Sequence, residues 1–127
     1  MARACGQRKS FEFALDVIQL YKLLTGNKEF IISKQLLRSG TRIGANVEEA
    51  TAAASKKDFI HKMIIASKEA RETKYWLRLL CEGKLVDADY SNYLIKSDEL
   101  INILTAIIKT SQANELTAKE DFQTHNS

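Results

Sequence analysis

No proline occurs anywhere in the 127 residues of this chain. Proline breaks helix interiors, so its absence leaves long uninterrupted helices open to the sequence. Glycine is scarce as well, with five copies, of which Gly26 and Gly83 fall where helices should stop. So few turn residues exclude an all-β fold. No apolar run approaches the ~20 residues that a membrane-crossing helix needs, so no membrane span is expected. Met1 to Lys9 is basic without a long apolar stretch behind it, which speaks against a secretory signal. Cys5 and Cys81 form neither a metal-binding motif nor a disulfide framework, and a reducing cytoplasm is the expected setting.

What is present is ordinary in amount and regular in spacing. Hydrophobic residues make up 45% and charged residues 28%, a balance that fits one soluble domain. The net charge of +3 permits an acidic partner such as nucleic acid without demanding one.

A first helix is predicted from Ser10, as N-cap, to Thr25 before Gly26. It carries two apolar stripes: Phe11, Ala14, Ile18 and Tyr21 in one, Phe13, Val17, Leu20 and Leu24 in the other. One stripe suffices for a surface helix. Two point either to a central, fully packed helix or to one covered by its own bundle and by another subunit. A second helix is predicted from Lys28 to Ala54, with Leu36, Gly40, Ile43, Val47, Ala50 and Ala54 as a seam in alternating steps of four and three. Ser55 should cap a third helix, answered by Asp58, with Phe59, Met63, Ala66, Ala70, Thr73, Leu77 and Leu80 on its apolar face and Gly83 at its end. Asp87 should cap a fourth, bearing Tyr90, Tyr93, Ser97, Leu100, Leu104 and Ile107. Short connections between four such helices predict an all-α, antiparallel up-down-up-down four-helix bundle over residues 10–112. The polar remainder, 113–127, reads as a disordered C-terminal tail.

Few residues suit catalysis. A carboxylate di-metal site needs glutamates on all four helices and two Glu-x-x-His pairs; Glu69 and Glu72 are followed at that spacing by Glu72 and Tyr75, and the histidines are His61 and His125. No metal, cofactor or catalytic residue is therefore assigned. Cys81 has no histidine in view and reads as a small buried hydrophobe; Cys5 reads as an incidental thiol in a frayed terminus. His61 reads as a solvated or hydrogen-bonded side chain. Gly40 and Gly44, four apart, mark close helix packing.

Two sets of polar residues stand out. Asn46 sits on the edge of an apolar face, Glu49 follows it by three, and Glu69, Glu72 and Trp76 share a face of the third helix. A carboxylate drawn into a bundle must be paired, and Arg42, Arg71, Asn46, Tyr75 and Thr73 are within reach by spacing. Such a set is either a polar lock on helix register or a ligand site at a subunit junction. The second set is basic: Arg38, Arg42, Lys56, Lys57, Lys62, Lys68, Arg71, Lys74 and Arg78 all fall on the second and third helices or their turn. Lys57, Lys68, Arg71, Lys74 and Arg78 recur at helical spacings. They read either as solvated surface charge or as a stripe attracting phosphate without sequence preference.

The segments Gln35 to Ser39 (QLLRS), Ile43 to Ala50 (IGANVEEA), Ser55 to Phe59 and Glu69 to Leu80 (EARETKYWLRLL) resemble the four-helix-bundle proteins encoded in 23S rRNA intervening sequences. The accessory variability determinants of diversity-generating retroelements are similar. The resemblance runs from Ser10 to Ser111, with Gly44 and the Lys56-Lys57 pair as departures from the pattern. It implies a small antiparallel bundle that assembles as a ring, commonly a homopentamer, with no catalytic activity. In the retroelement branch it implies a basic ring that binds nucleic acid and supports a reverse transcriptase; in the intervening-sequence branch it implies RNA binding. Carried over, Asn46, Glu49 and Glu72 become fold or assembly determinants. Arg38, Arg42, Lys68, Arg71, Lys74 and Arg78 become candidates for phosphate or subunit contact.

Overall fold

The computed structural model describes residues 2–126, and these fold into four α-helices: α1 (Ala2–Gly26), α2 (Ile32–Thr51), α3 (Lys56–Gly83) and α4 (Ser91–Asn126). Each helix lies against the next, and α4 closes the ring against α1, while the diagonal pairs make no backbone approach among the described residues. This is the up-down-up-down arrangement that short connections impose. The core runs along the bundle axis. Val17 and Leu24 from α1, Leu36 and Ile43 from α2, Ala66, Ala70 and Leu77 from α3, and Leu104 from α4 are all fully buried.

α1, α2 and α4 depart from the sequence expectation at one end or both, each for a local reason. α1 starts at Ala2 instead of Ser10. Residues 2–9 are good helix formers apart from Cys5 and Gly6, and a side-chain carbon on Gly6 would touch Ile107 and Ile103 of α4, so the chain packs on the bundle there. Ser10 is consequently no cap. It is buried, and its hydroxyl donates to the Gln7 carbonyl at 3.2 Å. α2 starts four residues later than expected because Glu29 caps it. Its carboxylate accepts from the backbone N–H of Ile31, Ile32 and Ser33 at 3.2, 2.8 and 2.6 Å. α2 then stops at Thr51, leaving Ala54 exposed in the turn.

Ser55 caps α3 as predicted, its hydroxyl accepting from the Asp58 N–H at 3.1 Å. At the start of α4 the capping carboxylate is Asp89 and not Asp87, accepting from the Ser91 N–H at 3.0 Å. Gly26 and Gly83 do end their helices, but no glycine takes a left-handed conformation. Lys28 (φ 64°) and Lys84 (φ 54°) do so instead. Beyond Ser111 the backbone expected to form a tail continues α4 to Asn126, since no proline or glycine follows Gly83 to interrupt it. That extension adds nothing to the core, and Leu116 on it is exposed.

Two contacts fix how the helices sit. Gly40 of α2 faces Val17 of α1 so closely that a Cβ there would lie 2.8 Å from both Val17 methyls, and Gly44 lies against the Ser10 carbonyl. Between α2 and α3, the Thr73 and Ser39 hydroxyls meet at 2.8 Å in the fully buried interior.

On α1 the Phe13, Val17, Leu20, Leu24 stripe is the core stripe. The other stripe faces outward: Phe11 is 62% exposed, Leu15 beside it 49%, and Ala14, Ile18 and Tyr21 are half-buried.

Candidate nucleic-acid interface

The basic residues of α2 and α3 divide into two groups that the sequence does not separate. Arg38 and Arg42 project from α2 across the seam to α3. Arg42 Nε lies 3.2 Å from Glu69 Oε2, and Arg38 reaches the same oxygen at 3.7 Å while also donating to Glu72 Oε2. Glu72 Oε2 further accepts from the Trp76 indole N–H at 3.0 Å. Glu69 is the most buried acid in this cluster, its side chain 13% exposed. Its inner oxygen has ion-pair neighbours but no well-aligned hydrogen bond, so attraction to the two guanidiniums is what holds it there.

Of the three residues expected to form a polar network, Asn46, Glu49 and Glu72, only Glu72 lies in this cluster. Asn46 is buried, but its amide donates to the Arg42 carbonyl of its own helix at 2.8 Å. Glu49 is exposed and pairs with Lys62 at 3.1 Å. Glu72 belongs to the cluster. Glu69, Arg38, Arg42 and Trp76 complete it; Arg71 makes no ion pair with it among the described residues, and Tyr75 meets it only through a ring contact with Trp76. The α4-directed spacing of Arg71 and Tyr75 on the helical wheel is the signal that could have separated them.

The second group lies on the opposite, outer flank of α3. Lys57, Lys68 and Arg71 are exposed, and among the described residues none of them makes an ion pair; the same holds for Lys56 in the first turn. Arg78 continues this line, in a loose exposed pair with Glu82 at 3.3 Å. Lys74 is half-buried and held by Asp98 of α4 at 2.7 Å. Arg71, Lys74, Tyr75 and Arg78 of α3 together with Asp98, Ile101, Asn102 and Thr105 of α4 line an open groove between the two helices. Tyr75, which sequence reasoning offered as a partner for a buried carboxylate, instead stands 53% exposed among the cations.

Of the nine basic residues, then, Arg38 and Arg42 are neutralised in the α2/α3 seam, Lys62 pairs with Glu49, and Lys74 is engaged across the α3/α4 groove. Lys56, Lys57, Lys68, Arg71 and Arg78 remain at the surface.

The seam between α1 and α4 is closed by Lys96–Asp16 at 2.6 Å and by Lys9–Glu99. The hydrogen bond to Glu99 raises the Lys9 pKa above its ordinary value, and the bond to Asp16 does the same for Lys96. No group of three or more histidine, cysteine, aspartate or glutamate side chains that could hold a metal occurs among the described residues. Cys81, expected to be buried, is exposed, and Cys5, expected to be frayed and exposed, is half-buried within α1. Among the described residues no helix is long and apolar enough to cross a membrane.

Comparison with known proteins gives the following. A family model described as 23S rRNA-intervening sequence protein matches residues 6–106. No curated protein matches the chain. A crystal structure at 1.70 Å of a protein with unknown function from the S23 ribosomal protein family of Bacteroides thetaiotaomicron is 47% identical, with a TM-score of 0.82. The match covers 86% of this chain and 99% of that one.

Proposed function

The chain belongs to the 23S rRNA-intervening sequence protein family, and from that premise we propose that it is a non-enzymatic, homo-oligomeric bundle that binds nucleic acid, RNA in the first place, in the cytoplasm. The observation that carries this reading is the run of exposed cations on the outer flank of α3: Lys57, Lys68 and Arg71, which make no ion pair among the described residues, extended by Arg78 in its exposed pair with Glu82. Cations without carboxylate partners are free to replace the counterions of a phosphate backbone. Their spacing along one helix suits backbone contact and gives no base-reading pattern, so the binding carries little sequence preference. A ring of copies, a pentamer by the family resemblance, would multiply a modest charge of +3 per chain into an effective field.

The test is the salt dependence of binding to a single-stranded RNA. With about five phosphates neutralised, the logarithm of the affinity should fall with the logarithm of salt at a slope near −3.5. Binding that stays flat between low and moderate salt, or no binding, removes the proposal. Light scattering tests the assembly. A mass of 14.4 kDa, one chain, across micromolar concentrations contradicts it.

A second reading has its own observation. The outer face of α1 presents Phe11 and Leu15 to solvent beside Ala14 and Ile18, which suits docking of a protein partner. The likeness to retroelement accessory proteins makes a reverse transcriptase the partner class to try. Phe13, Leu20 and Leu24 of the other α1 stripe belong to the core and take no part in this face. A pull-down with parent and Phe11→Asp protein separates the readings: loss of a specific partner with nucleic acid binding intact supports docking.

A further inference from the structure

Resting on the nucleic-acid reading above, we infer that the groove between α3 and α4 is a subsite for an unpaired nucleotide, with Tyr75 as the stacking surface for its base. The surface therefore prefers single strands to duplex.

Three observations converge on this groove. First, Tyr75 is a large aromatic residue held out at the surface. Its ring makes an edge-to-face contact with Trp76, centroids 5.1 Å apart at 66°, and Trp76 is itself fixed by its bond to Glu72. A half-exposed tyrosine with its neighbour locked is a positioned platform, and over half of it remains open to solvent. Second, the platform stands between cations at helical spacing. Arg71 is four residues before it and Arg78 three after, so guanidiniums lie about one turn away on either side. Lys68 extends the line by almost another turn. A base on Tyr75 would leave its flanking phosphates beside Arg71 and Arg78. Third, the α4 wall supplies Asn102, an exposed side chain that offers both a donor and an acceptor to a base edge. Ile101 supplies an apolar floor.

The acids in the groove do not oppose this arrangement. Asp98 is neutralised by Lys74 at 2.7 Å, and Glu82 holds Arg78 only through an exposed pair that phosphate can displace. In a duplex the base faces are stacked inside, so nothing in it can use Tyr75. Only an unpaired, splayed base reaches an aromatic face.

The experiment is fluorescence anisotropy with a labelled twelve-nucleotide RNA, the same sequence as DNA, and the RNA annealed to its complement. The parent, Tyr75→Ala, Tyr75→Phe and Arg71→Gln are compared across a salt series. The parent is expected to bind the single strands more tightly than the duplex. Tyr75→Ala should weaken single-strand binding by between about fivefold and about a hundredfold, the range of one lost base–aromatic stack. Its salt slope and its duplex affinity should not change. Tyr75→Phe keeps the ring and should behave as the parent. Arg71→Gln should reduce the single-strand slope by about 0.7. Trp76 is the one tryptophan in the chain and touches Tyr75, so its emission should respond to single strands and not to duplex. Either strand behaving this way supports the subsite, and the tighter one identifies which nucleic acid it takes.

Tyr75→Ala binding single strands as well as the parent does, or losing single strand and duplex equally, overturns the subsite. The broader nucleic-acid reading survives those results as long as the parent binds with a steep salt slope. A parent that binds none of the three overturns both.

Discussion

Where α3 meets α2, two carboxylates and two guanidiniums meet: Arg42 and Arg38 converge on Glu69, and Arg38 also holds Glu72, which in turn anchors Trp76. On the outer flank of the same helix, Lys57, Lys68 and Arg71 make no ion pair among the described residues. The residue types are alike and the helix is the same, yet one flank spends its charge on fixing register and the other leaves it available. The number of basic residues on a helix says little about its field, because geometry decides which of them are cancelled. A third contact, α1 against α2 through Gly40, has no charge and serves as the reference.

That reference should give the largest effect. Gly40→Leu must force α1 outward, since even a Cβ would sit 2.8 Å from the Val17 methyls, and the cost is expected to be roughly 1–3 kcal/mol. Urea denaturation measures it, and the loss should be the same at low and high salt. A salt-dependent loss would mean that charge contributes to this contact after all.

On the clamped flank, Glu69→Ala should cost about 1–2 kcal/mol. Breaking a fully buried pair costs more, but the two arginines here are half exposed and can turn to water. The loss should shrink as salt rises. Repeating the change in an Arg38→Ala, Arg42→Ala background closes a double-mutant cycle. If Glu69→Ala costs the same there, the cluster is not coupled and the contrast between the flanks collapses.

The bundle was readable from spacing because its core contacts repeat along each helix. Phe59, Met63, Ala66, Ala70, Thr73, Leu77 and Leu80 fall on one side of α3 and are all buried. Ends were less readable, because they depend on single side chains. Glu29 reaches forward over three N–H groups to start α2, and Lys28 and Lys84 take left-handed turns that glycine was expected to take. The site was readable only as a list. Whether an arginine is clamped or free depends on what the neighbouring helix presents: α2 presents its arginines to Glu69 and Glu72, whereas Lys68 makes no ion pair among the described residues. Tyr75 was missed in its role for the same reason. Counting aromatics gives no platform, and the proposed stacking role rests instead on the position of Tyr75 along the helix axis, four residues after Arg71 and three before Arg78.

Glu29 offers a charge satisfied by backbone, against which both flanks can be measured. Partial burial pushes its carboxyl up, but the N–H groups of Ile32, Ser33 and Ile31 outweigh that and hold its pKa below the ordinary 4.5. A depressed carboxylate stabilises the fold above its unfolded pKa, and that contribution disappears as the pH falls through the lower folded value. Glu29→Gln should therefore cost about 1 kcal/mol at neutral pH, as a weakened helix cap does. The gap to the parent should close below pH 4.5. A gap constant down to acid would show that the cap does not depend on the charge.

The smallest effect on stability is expected on the outer flank, and it is the sharpest test of the contrast. Lys68→Glu with Arg71→Glu removes two cations that make no ion pair among the described residues, so the unfolding free energy should move by no more than about 0.5 kcal/mol. Binding should respond in the opposite proportion. Each neutralised phosphate contributes roughly 0.7 to the single-strand salt slope, so losing two lowers it by about 1.4, and the new acids add repulsion. The matched control is Arg38→Gln with Arg42→Gln, which should weaken the fold while leaving that slope in place, because those guanidiniums are already committed to Glu69 and Glu72. If the seam variant loses the slope and the outer variant keeps it, the clamped arginines are the ones that meet phosphate, and the assignment of the two flanks must be exchanged.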